Sequence, residues 1–264
     1  DAPFGHQESN LSLKAPYGAK TPLTKDLIPD GQKVRPTAGL EFVSSRHFPD
    51  EVQGDFLLCN NIGFLGIKQH SMVDDDTGYK TAFRQELLKS SDGNFRPVAL
   101  QFAPDGSLYV IDWHNVLIGH MQHNARDPLR DHVHGRVYRI TYPSRPLVKP
   151  AQIAGAPVAT LLENLKLPEY RSRYRTRAEL RTRPATEVLT ALSKWTAALD
   201  PANPEREHHL LEALWVTWGF NQPDEALLNK LLKSEDYHVR AAAVRVLRYN
   251  THRIANLTGP SRHV

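Results

Sequence analysis

Val98-Ala99-Leu100-Gln101-Phe102-Ala103-Pro104-Asp105-Gly106-Ser107-Leu108-Tyr109-Val110-Ile111-Asp112 reads as a β-hairpin. Two apolar runs flank a Pro-Asp-Gly tip, and Asp-Gly is a residue pair that a tight reversal favours. The same texture extends on both sides. Gly54-Asp55 precedes the run Phe56 to Cys59, Ile62 to Ile67 forms a second short run, and Tyr79 to Leu88 a third. Gly135 to Ile140 alternates polar and apolar, the pattern of a half-buried strand. Short strands, turn signals and no helical period predict an all-β sandwich, barrel or propeller for residues 36–142.

The texture changes twice more. Residues 1–35 are rich in Pro, Gly, Lys and Asp and read as a loop-rich lead-in. From residue 150 to 250, Leu, Ala, Glu and Arg dominate, and helices are predicted over 157–166, 169–181, 184–199, 205–219, 224–233 and 236–249. Pro157 and Pro184 stand where a first turn would begin, and Asp200-Pro201 and Asn203-Pro204 break the chain between the third and fourth helices. An internal repeat runs through this region. Tyr170/Tyr237, Arg173/Arg240, Leu180/Leu247 and Arg181/Arg248 match at a shift of 67. That shift corresponds to two helical hairpins of about 33 residues each, the size of a solenoid repeat. Residues 251–264 read as a tail.

The composition of the 264-residue chain sets limits: it is 40% hydrophobic, 23% charged and carries a net charge of +4. That is enough apolar content for a core, and no run approaches the ~20 apolar residues of a membrane-spanning helix. The single cysteine excludes an internal disulfide, a Cys-rich zinc site and a Cys-x-x-Cys-His haem attachment. Cys59, inside an apolar run, reads as a small buried hydrophobe.

A family resemblance rests on particular residues. Pro36 to Phe42, Phe48-Pro49, Gly54 to Leu58 and Phe95-Arg96-Pro97-Val98 with Phe102 to Val110 resemble late blades of quinoprotein sugar-dehydrogenase β-propellers. Asp112-Trp113-His114-Asn115, Gly119 to Asn124, Arg126-Asp127-Pro128 and Arg130 to Arg139 look like the signature of a bacterial multidomain group common in planctomycetes. That group is described as membrane-bound dehydrogenases with a haem-binding domain, and helical repeats follow its propeller. Glu207 to Trp215 is similar to part of that helical section. The resemblance implies a mixed β-then-α architecture: a lead-in (1–35), a partial β-propeller of about two blades (36–145), an α-solenoid of HEAT-like hairpins (150–250) and a tail (251–264).

The resemblance also implies a function: a piece of an exported, dehydrogenase-like protein, inactive alone, with a periplasmic or exported location. The alternative is a non-catalytic binding module for protein or glycan. Two blades cannot close a propeller, so a missing segment or a second chain is expected to complete it. The cofactor implied is pyrroloquinoline quinone, without covalent haem.

Candidate site residues follow. His114, His120, His123, His132 and His134 are interleaved with Asp112, Asp127 and Asp131. Imidazoles and carboxylates serve as proton acceptors near neutral pH or as metal ligands, although the spacing fits no metal motif. On a strand, His132 and His134 would share one face. The bland reading is a long loop pinned by side-chain hydrogen bonds. By resemblance, Arg96 would grip a quinone carboxylate, with Asn61, Asp112 and Arg126 lining the cofactor site. The competing role for Arg96 is a bond to loop carbonyls.

Asp74-Asp75-Asp76-Thr77-Gly78 lacks the ligand spacing of a calcium loop and reads as a hairpin turn. Arg171, Arg173, Arg175, Arg177, Arg181 and Arg183 form the densest charge run. They read as a solvated helix with Glu169, Glu179 and Glu187 as partners, or as an anion-binding surface. No nucleic-acid motif accompanies them, and no nucleic-acid partner is expected.

Overall fold

The computed structural model describes residues 37–61, 64–76, 78–116 and 126–254. The chain divides into two compact units, Asp1–Lys149 and Pro150–Val264.

In the first unit, β1 (Thr37–Phe42), β2 (Phe56–Asn60), β3 (Gly66–Asp75) and β4 (Gly78–Lys89) form an antiparallel sheet in sequence order. A second antiparallel sheet holds β5 (Pro97–Phe102), β6 (Leu108–Asp112) and β7 (Arg136–Ile140), also in order. The β5–β6 hairpin forms where its sequence predicts. Gly106 takes φ +82°, and a Cβ there would sit 2.6 Å from Ser45 Oγ, so both conformation and space demand glycine. Asp105 locks the turn by accepting from the Ser107 N–H (3.0 Å) and hydroxyl (2.6 Å).

The register places Leu100 opposite Val110 and Phe102 opposite Leu108. These side chains join Leu57, Cys59 and Ile67 in the main β core. Phe56 and Leu58, on the alternate face of β2, form a second small cluster with Leu40. The first strands of the two sheets meet closely: a Cβ on Gly39 would lie 2.6 Å from Ala99 Cα. Burial falls outward from β2, which is buried throughout, to β4 and β7, which are mostly exposed.

Buried polar groups tie the loops to this frame. The His47 ring is bonded at both nitrogens, Nδ1 to the Pro146 carbonyl (2.9 Å) and Nε2 to the Tyr142 N–H (2.9 Å). Nδ1 must therefore carry the proton. Buried Asp55 accepts from Gln69 Nε2 at 2.5 Å and from Arg84 Nε at 2.5 Å.

Three strand expectations need correction. The run expected at Ile62 enters β3 only at Gly66, and Ile62 lies outside the described residues. β7 is not half-buried, because it is the last strand of its sheet and Val137 is exposed. His132 and His134 precede β7 and lie outside any strand, so no shared strand face exists. The Asp74–Gly78 stretch is the β3–β4 hairpin, with Asp75 opposite Gly78 and Asp76 at φ +50°. Thr77 lies outside the described residues.

The second unit holds six helices: α1 (Val158–Asn164), α2 (Tyr170–Leu180), α3 (Ala185–Ala197), α4 (Arg206–Gly219), α5 (Glu225–Leu231) and α6 (Tyr237–Asn250). Each begins within one residue of its predicted start. α1–α2 and α5–α6 are copies: the start of α1, the end of α1 and the start of α2 all recur 67 residues later. The correspondence reaches single atoms. Arg173 Nη1 donates to the carbonyls of Leu167 (2.6 Å) and Pro168 (2.7 Å). Arg240 Nη1 donates to Ser234 (2.6 Å) and Glu235 (2.9 Å), the positions equivalent to Leu167 and Pro168. In both copies the arginine satisfies carbonyls just before its own helix. Leu161 and Leu228 are equivalent and buried, as are Thr176 and Ala243. Neighbouring hairpins pack on one another: α1 on α3, α2 on α4, and α4 on α5 and α6.

The charge run on α2 is partly solvated, as expected, and Arg183 pairs with Glu179 at 2.6 Å. Its main partner is a different one. Glu212 of α4 is fully buried and accepts from Arg173 Nε (2.9 Å) and from Arg177 Nη1. Burial pushes the Glu212 carboxyl up, but His208 and the two guanidiniums outweigh it and hold it below the ordinary glutamate value.

Two histidines work in the opposite sense. Burial first, then Lys68, lowers the value for His70, and burial first, then His208 and Lys166, lowers it for His209. Both stay neutral in the fold where the unfolded chain would take a proton. Stability should therefore hold above about pH 6.5 and fall as pH drops below it. Urea midpoints at pH 8 and pH 5.5 check this. The midpoint should be lower at pH 5.5, and a double His70→Gln, His209→Gln variant should flatten the difference.

Candidate functional site

The β6 end and the loop after it gather most of the candidate residues. Asp112 is the last residue of β6 and points inward, because β6 alternates from buried Leu108. Its Oδ1 accepts from the Arg96 N–H (2.7 Å) and the His114 N–H (2.8 Å). Its Oδ2 is buried without a hydrogen-bond partner, 4.0 Å from Arg136 Nη1.

Arg96 precedes β5 and reaches across the loop. Nε donates to the Asn115 carbonyl (2.8 Å), Nη1 to Asn61 (2.9 Å) and Nη2 to Val116 (2.8 Å). Backbone bonds run alongside, from the Trp113 N–H to the Arg96 carbonyl (2.9 Å) and from the Asn115 N–H to Asn94 (2.8 Å). Asn61 thus contributes its backbone carbonyl. Asn115, itself buried, reaches the Asp131 carbonyl through Nδ2 (3.0 Å).

His114 takes φ +53°, a left-handed conformation uncommon for a non-glycine residue. Its Nδ1 is buried without a partner. Nε2 lies 3.3 Å from Arg136 Nη2 and 3.7 Å from Asp131 Oδ2. His134 Nδ1 meets the same carboxylate at 2.8 Å, and the two imidazoles are 6.3 Å apart, edge to face. The Val133 N–H, then the side chain and N–H of His134, lower the Asp131 carboxyl to about 2 against partial burial. The Asn94 N–H and then Arg136 likewise lower the value for Asp92. The cluster is thus a carboxylate-rich loop closed by arginines, with one strained, under-bonded histidine.

The structure brings together Arg96, Asn61, Asp112, His114 and His134. His132 and Arg126 are exposed, and His120 and His123 lie outside the described residues. Among the described residues, no group of three or more His, Cys, Asp or Glu is placed to hold a metal ion. The arrangement leaves Arg96 without a free side-on edge for a quinone carboxylate. Carbonyls hold one N–H on each of the three Arg96 nitrogens, including the Nε/Nη2 edge used for side-on carboxylate pairing. The sequence reading missed Arg136 and Asp92 as members of the cluster. It also missed Glu212, whose signal was a lone acid amid the apolar run Leu210 to Val216, opposite an arginine-rich helix.

Among the described residues, no helix is long and apolar enough to cross a membrane. Residues 21–144 match the family model of a domain of unknown function, DUF7133. No curated protein and no solved structure matches the chain. The matched stretch takes in both sheets and the entire Arg96–His114 cluster and ends before the helical unit, so the β unit is where the chain is similar to that family.

Proposed function

We propose that the chain is a non-catalytic binding module: two blades of a β-propeller followed by a short stack of HEAT-like hairpins. One observation carries the choice over a dehydrogenase. Arg96, which the resemblance assigns to a cofactor, is committed to three backbone carbonyls of the loops around it. The propeller part is supported by two antiparallel meanders whose first strands lie side by side at Gly39 and Ala99. The outward face of the second sheet leaves Tyr109, Ile111 and Val137 exposed. A further blade, from a missing segment or another chain, would cover such a face. The solenoid part is supported by the 67-residue copy and by hairpins that pack on their neighbours.

A second reading keeps the chain as a piece of an exported, dehydrogenase-like protein. It is favoured by the strained His114 and by two orphaned buried atoms, His114 Nδ1 and Asp112 Oδ2. Such groups gather where a bound molecule completes the bonding.

An absorbance titration with pyrroloquinoline quinone, using wild type and His114→Ala, separates the two. The module reading predicts no saturable binding to either protein. One-to-one binding that His114→Ala abolishes would overturn it.

A further inference from the structure

The helical unit contains a groove of about 720 Å³ that takes in Arg177 and Arg181 of the charge run and none of the residues of the Arg96–His114 cluster. Three helices line it: α2 with Tyr174 and Arg177 and the following Arg181, α4 with Trp215 and Trp218, and α6 with Arg245. No acidic residue is among the lining groups. We propose that this groove binds an acidic peptide segment of about six residues, with carboxylates near both ends and an apolar or aromatic residue between them. This rests on the binding-module reading and names the class of partner.

Charge comes first. Glu212 neutralises only part of the Arg173/Arg177 pair, and its carboxylate is fully buried and is not among the groove's lining groups. Arg181 and Arg245 are exposed and have no polar partner among the described residues. Two unpaired guanidiniums therefore face the groove from its two sides, and guanidinium favours bidentate carboxylate. Arg181 is also positioned. Its stem lies on the end of α4, where a Cβ on Gly219 would come within 3.0 Å of Arg181 Cδ. The absent side chain at residue 219 leaves that space open.

The two indoles in the groove are already covered. Stacking a sugar ring or a base requires an open aromatic face. Here the Arg177 guanidinium lies 5.0 Å over Trp215, and Tyr249 stacks on Trp218 at 5.9 Å and 20°. Both indoles also pack against the helical core. What remains between the cations is an apolar floor and the exposed Tyr174 ring, which suit an apolar or aromatic side chain set between two acidic ones.

The spacing sets the length. Adjacent packed helices lie about 9 Å apart, so α2 to α6 spans about 18 Å. An extended chain covers this in about six residues.

The test is fluorescence anisotropy with the full chain and a labelled six-residue peptide. The peptide carries two acidic residues at each end and Tyr-Pro between them. Saturable micromolar binding is expected at low salt, weakened at least tenfold in an Arg181→Glu, Arg245→Glu variant. Both positions are exposed, and an unchanged helical circular dichroism spectrum shows that the variant folds. A lysine-for-acid peptide should not bind. Equal binding of both peptides, or wild-type affinity in the variant, would overturn the proposal. Tighter binding of an oligouronate of equal charge would overturn the peptide assignment. None of these outcomes bears on the quinone titration, so failure here and failure of the module reading are separable.

Discussion

Glu212→Ala should cost the helical unit about 3 kcal/mol, a large fraction of a domain's stability. The carboxylate is fully buried and receives Arg173 and Arg177, which are only 15% and 23% exposed in their side chains. Removing the acid leaves two mostly buried guanidiniums without their carboxylate, and a cavity beside them. Partial exposure of the arginines keeps the expected cost at the lower end of the range for a broken buried pair. Glu212→Gln fills the space and keeps one acceptor, so it should cost less. Urea denaturation followed by the far-UV helical signal measures both. Equal stability of Glu212→Ala and wild type would mean that the α2–α4 interface does not depend on this triad. The triad also sets an acid limit. The carboxyl titrates below its ordinary value, so its contribution is complete above about pH 4.5 and is lost as pH falls through the lowered value.

Arg96→Ala should cost the β unit about 3 kcal/mol. Three carbonyls, on Asn61, Asn115 and Val116, lose a charged donor at once. Asn115 is buried, so its carbonyl is the hardest to satisfy with water. Arg96→Lys should recover little, because one ammonium cannot reach three carbonyls set around a planar fork. A conserving effect of lysine would point to charge rather than geometry as what the position requires.

The helical unit was legible because its signals are local. Proline at the start of α1 and α3 and the Asp-Pro and Asn-Pro breaks before α4 mark where helices begin, and α3, α4 and α6 carry apolar buried faces. The 67-residue repeat was legible for the same reason: Arg173 and Arg240 contact carbonyls only five and six residues away. Glu212 was not legible as the partner of the α2 arginines, because that pairing depends on how two hairpins dock. In the β unit, the hairpin at Gly106 could be read from its turn. The exposure of β7 could not, since an alternating pattern does not say whether a second layer covers the strand. Arg96 was open between cofactor and carbonyls, because the sequence shows the donor and not the path of the 113–116 loop. His114 carried no mark of its left-handed backbone.

The claim that Arg96 is an architectural clamp is tested most directly by amide hydrogen exchange on wild type and Arg96→Ala under native conditions. The amides of Trp113, His114 and Asn115 should lose protection first in the variant, while those of the β5–β6 hairpin stay protected. Unchanged protection at Trp113 to Asn115, together with the same overall stability as wild type, would contradict it.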